Sequence, residues 1–124
     1  MVQTDISQLS AECTDWRQIL RNYREEFHHC QKALQQTCKN SLTKDQLLEV
    51  EHFNNQFHIQ LINIHDLKQL IKQHERTIQA NGDQIFERTY ADHEHLLSDF
   101  LSLENTLQEL RLEFNDFVNK TACQ

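Results

Sequence analysis

Histidine and cysteine bring most of the reactive chemistry to this 124-residue chain, which holds eight of the first and four of the second. Glu25 and His28, Glu26 and His29, and Glu49 and His52 each stand three residues apart. That is the E-x-x-H spacing with which a di-iron bundle projects a carboxylate and an imidazole from one helical face into its core. Such a centre needs the apolar face and further inward carboxylates. Glu25, His28, His29, Glu49 and His52 lie off the apolar stripe, so they read as surface groups, and neither a metal nor a cofactor is expected. Cys13, Cys30, Cys38 and Cys123 form no C-x-x-C. Cys13 and Cys30 fall on the apolar rhythm and read as small buried hydrophobes, not as a disulfide or zinc framework. No nucleotide-binding loop or nucleophile constellation stands out, and the chain is expected not to be an enzyme.

These residues are positioned by helices. Proline is absent and glycine occurs once, so few breaks interrupt a helical rhythm running from Ile6 to Val118. In the first segment Ile6, Leu9, Cys13, Trp16, Leu20, Tyr23, Phe27, Cys30 and Leu34 follow at alternating steps of three and four, a coiled-coil-like seam with Thr4 or Asp5 able to cap its start. Thr43 and Gln46 have the spacing of a capping box that opens a second helix. Its central column is Val50, Phe57, Ile64, Ile71 and Ile78, flanked by Leu47 and Leu61 on one side and Phe53 and Leu67 on the other. Asn81-Gly82-Asp83 supplies a tight hairpin. The third helix carries His93, Phe100, Leu107 and Phe114 down its centre, with Phe86, Tyr90, Leu97 and Val118 on one flank and Leu96, Leu103, Leu110 and Phe117 on the other. The expected fold is all-α: one domain over residues 1–124, an antiparallel up-down-up bundle of three long helices spanning about 5–38, 44–81 and 84–121. The register then sets Phe57 against Leu107, Val50 against Phe114 and Ile71 against His93.

Within this frame three features depart from an ordinary bundle. His93 occupies a core column, and a buried imidazole must find hydrogen-bond partners. His74, Tyr90, His93 and Ser10 are therefore expected to form a buried polar layer that fixes helix alignment. Secondly, Leu48, Ile59 and Ile62 project from the side of the second helix opposite its core column, and a helix that is apolar nearly all round is usually covered all round. Those three residues are the expected interface for a protein partner, with a homodimer the simplest case. Thirdly, His65, Leu67 and Lys68 resemble the H-x-L-K core of histidine phosphotransfer domains, which are helical bundles of similar size. The resemblance implies His65 as an exposed phosphoacceptor, although Gln69 stands where that family carries a small residue.

A formal net charge of −7 repels phosphate backbones and anionic headgroups, so neither nucleic acid nor membrane is an expected partner. No run of 18 apolar residues exists, and the first residues lack the pattern of a secretory signal, which makes a cytoplasmic location the expectation. The leading functional expectation is a non-enzymatic interaction or structural module that self-associates through its second helix; the alternative is phosphotransfer through His65.

Overall fold

Apolar residues at alternating steps of three and four give each segment one continuous face to bury, and each segment forms a single long helix. The computed structural model describes residues 6–37, 41–80 and 87–122. The helices are α1 (Ile6–Thr37), α2 (Lys44–Ala80) and α3 (Glu87–Ala122), packed as an antiparallel up-down-up bundle with no strand among the described residues. At 1.5 Å per residue each is about 50 Å long. The capping choices at residues 4–5 and 81–83, the flank residue Phe86, and Cys38 and Cys123 lie outside the described residues.

The start of α2 follows from its sequence. The Thr43 N–H donates to Gln46 Oε1 at 2.8 Å, and the Gln46 N–H donates to Thr43 Oγ1 at 3.1 Å. The two side chains thus satisfy two backbone donors that a first turn would otherwise leave open. The Leu47 N–H then closes the first helical turn onto the Thr43 carbonyl at 3.0 Å.

One core runs through all three helices. The seam of α1 is buried from Leu9 to Leu34, with Ile6 and Cys30 half-buried at its margin. Phe53, Phe57, Ile64, Leu67, Ile71 and Ile78 face it from α2. From α3 come Leu96, Phe100, Leu107, Leu110, Phe114 and Phe117, while Tyr90, Leu97, Leu103 and Val118 are half-buried. The flank carrying Leu96, Leu110 and Phe117 is thus the inner side of α3. Leu47, expected on a buried flank of α2, is 51% exposed because it lies at the open first turn. Gln60 and Thr89 are buried polar residues that the apolar rhythm does not single out. Gln60 accepts from Asn63 Nδ2 at 3.1 Å.

The pairing of α2 with α3 differs from the expected register by about one turn. Phe114 meets Phe57 edge-on at a centroid distance of 5.0 Å and Phe53 at 5.5 Å, rather than standing level with Val50. At the other end His93 faces His74 instead of Ile71. A level partner such as Ile71 would leave a buried imidazole without a hydrogen bond, and the shifted pairing removes that cost while letting one phenyl ring sit between two others. Charged groups at the edges hold α1 in place. Arg17 pairs with Glu75 of α2 at 2.8 Å, and Arg111 of α3 pairs with Glu26 at 3.1 Å while its guanidinium lies over the Tyr23 ring.

Candidate functional site

Each helix delivers one side chain to a polar layer inside the core: Cys13 from α1, His74 from α2 and His93 from α3, all buried. The seam position of Cys13 and the column position of His93 require both to face inward, and the shifted register brings His74 level with them. His74 Nε2 and His93 Nδ1 are 3.0 Å apart, and His93 Nε2 lies 2.7 Å from Glu12 Oε1. A neutral imidazole has one N–H, and a carboxylate can only accept. With both rings neutral, His93 donates from Nε2 to Glu12 and its Nδ1 accepts from the Nε2–H of His74. Glu12 sits half-exposed at the margin, so its charge stays hydrated while one oxygen reaches the ring.

Apolar walls hold this chain of hydrogen bonds. The Trp16 ring lies against His93 with centroids 4.8 Å apart and stacks on Phe100 at 5.9 Å. The Cys13 thiol is pushed up to about 12, chiefly by burial and then by the negative charges of Glu75 and Glu12, with Arg17 opposing. Burial likewise holds the His74 imidazole below its ordinary value, reinforced by His93 and opposed by Asp92.

The His74 shift gives a pH expectation. Above about pH 6.5 both the folded and unfolded states keep this group neutral. As the pH falls through that value the unfolded chain gains a proton that the folded chain does not, so stability is full above it and declines below. His93, Glu12, Cys13, Glu75, Arg17 and Asp92 are the charged or titratable groups that surround this imidazole. In chelator-treated protein, His74→Gln, whose amide can still donate to His93, should flatten the decline in urea midpoint between about pH 7.5 and 5.5. An acid limb as steep as the parent's would assign it to another group.

Of the residues expected in the layer, His74 and His93 meet inside it. Ser10 and Tyr90 are only half-buried. At the level of His93, α1 presents Glu12 and Cys13. Glu12 had no sequence signal except its place beside Cys13, and Cys13 carried one, a thiol on a seam at the level of a core histidine.

No family model, curated protein or solved structure matches this chain.

A second candidate region lies on the outside of α2. Leu48, Ile59, Ile62 and Leu70 are 58%, 45%, 48% and 50% exposed, on the side opposite the Phe57, Ile64 and Ile71 column. Leu70 extends the patch expected from Leu48, Ile59 and Ile62; sequence reading passed over it, although it stands eleven residues after Ile59 as Ile59 stands eleven after Leu48. Eleven residues make just over three full turns, so these three side chains lie nearly in one line along the helix.

The E-x-x-H pairs do not converge. Glu25, His28, His29, Glu49 and His52 are exposed, and Glu26 is engaged by Arg111. His65 is exposed, and Lys68, one turn on, is half-buried. Burial first, then the charges of Arg21, Arg24, Arg17 and Lys72, lowers the Lys68 ammonium from its ordinary value, which marks a basic cluster spanning α1 and α2. Among the described residues no helix is long and apolar enough to cross a membrane.

Proposed function

We propose that this bundle is a non-enzymatic protein-interaction module whose occupant on α2 is a second copy of itself. The observation that carries the reading is the line of exposed aliphatics Leu48, Ile59 and Leu70, with Ile62 beside it. Their spacing is symmetric about Ile59. Two copies of α2 laid antiparallel across a twofold axis at that residue bring Leu48 of each copy to Leu70 of the other, and Ile59 to Ile59. A closed twofold dimer requires such a self-complementary patch. Large aliphatics contribute roughly 1.5–3 kcal/mol each when fully buried, and association costs several kcal/mol in lost freedom, so a weak to moderate dimer is the expected outcome.

Light scattering over a concentration series tests the reading. The parent should pass from monomer to dimer by high micromolar concentration. The double variant Ile59→Glu, Ile62→Glu should remain monomeric, since it sets like charges against each other at the axis and leaves the core column intact. A parent that stays monomeric, or a double variant that associates equally well, ends this proposal.

The second reading, phosphotransfer through His65, draws support from the exposure of that imidazole beside the basic cluster of Lys68, Lys72, Arg17, Arg21 and Arg24. Gln69 counts against it, because its side chain stands where a phosphodonor would approach. A function without nucleic acid accords with the net charge of −7.

A further inference from the structure

We propose that Cys13, His74 and His93 form a binding site for one zinc-class divalent cation, which clips the three helices together. Each residue offers one ligand atom, and these atoms all lie within 4.8 Å of one another in a buried position. Around a tetrahedral zinc with bonds of about 2.0–2.3 Å, ligand atoms sit ~3.3–3.8 Å apart. The 3.0 Å between His74 Nε2 and His93 Nδ1 has to open by about half an ångström, and the widest separation has to close by about one. Both changes are of a size that side-chain rotation can supply.

The donor set suits this class of ion. One thiolate and two imidazoles favour zinc over magnesium or calcium, which take oxygen ligands. Glu12 completes the arrangement from outside. A metal-binding histidine usually donates its other ring N–H to a carboxylate, which fixes the tautomer and makes the bound nitrogen more basic. The 2.7 Å contact of Glu12 with His93 Nε2 has that geometry, and it leaves Nδ1 as the nitrogen to bind the ion. On binding, Cys13 releases its thiol proton to solvent, and His74 moves its proton from Nε2 to Nδ1. Two N–metal bonds and one S–metal bond form, and a water fills the fourth position. The thiolate and the Glu12 carboxylate balance the two positive charges of the ion. With one ligand from each helix, the ion would act on stability, since binding to the folded state alone stabilises it by mass action.

The test uses the full chain stripped with a chelator and titrated with Co²⁺ as a spectroscopic probe, then with Zn²⁺. One equivalent of Co²⁺ should give a thiolate-to-cobalt charge-transfer band and the intense visible bands of a four-coordinate ion, and Zn²⁺ should displace it and raise the Tm. The variant with Cys30, Cys38 and Cys123 all replaced by serine leaves the site untouched and should keep both bands. Cys13→Ala should lose them while circular dichroism still reports the helices. Glu12→Ala should weaken zinc about 10- to 100-fold. The absence of a charge-transfer band in the parent, its loss in the triple-serine variant, or its survival in Cys13→Ala overturns the site.

Discussion

Phe57→Ala is expected to cost about 3–5 kcal/mol of folding stability, the range for removing a fully buried phenyl ring. Phe57 has no exposed surface, and its ring lies 5.2 Å from that of Phe27 on α1 and 5.0 Å from that of Phe114 on α3, both edge-on. It is therefore in contact with both neighbouring helices, and the void left behind is walled by rigid rings that collapse poorly. A domain of this size has about 5–15 kcal/mol in all, so one substitution should remove about a fifth of it or more. Urea denaturation followed by circular dichroism gives the measurement. Leu112→Ala serves as the comparison, because Leu112 is 67% exposed and its loss should register within about 0.5 kcal/mol. A Phe57→Ala midpoint close to that of Leu112→Ala would mean the ring is not packed between the two helices.

The buried thiols should be nearly inert in the folded, metal-free protein. Alkylating agents react with the thiolate, and raising a thiol from its ordinary 9.0 to about 12, as burial does for Cys13, cuts the thiolate population at neutral pH about a thousandfold. Cys30 is half-buried and pushed up to about 11 by burial and by Glu26, with Arg111 opposing, which corresponds to about a hundredfold. A pulse of iodoacetamide on native and urea-unfolded chain, read peptide by peptide in a mass spectrometer, should place the native rates in that order: Cys13 slowest, Cys30 next, and both far below the unfolded chain. Native Cys13 labelled as fast as Cys30 would show that the α1 seam opens at the polar layer.

The α1 seam and the capping box at Thr43 were legible in the sequence because each depends on neighbours along one helix. Leu9, Trp16, Leu20 and Phe27 follow a local period, and Thr43 and Gln46 interact within a single turn. The relation between α2 and α3 was not. A column of Val50, Phe57, Ile64, Ile71 and Ile78 offers almost the same apolar surface when displaced by a turn, so periodicity alone leaves several pairings close in energy. What selects one is the bond between His74 and His93 together with the fit of Phe114 between Phe53 and Phe57, and both exist only once two helices meet. The membership of the polar layer also depends on contacts between helices: α1 presents Glu12 and Cys13 at His93, and Ser10 and Tyr90 stay half-buried. The exposed α2 side chains were legible as a face, since burial against one core implies the opposite side is open.

The separation along the chain of the groups joining α1 to α3 bears on the order of assembly. Glu12 and His93 are 81 positions apart, and Glu26 and Arg111 are 85 apart. Contacts between distant positions form late, because the chain must first lose the entropy of closing so long a loop. α1 and α2 follow one another directly and share the most extensive of the three interfaces, so their hairpin is the natural first unit. Until α3 docks, that hairpin leaves Trp16 and Phe57 short of the rings that cover them, and His74 has no acceptor. The polar layer thus closes only when the last helix arrives in the right alignment, which makes it a proofreading contact for the third helix during folding.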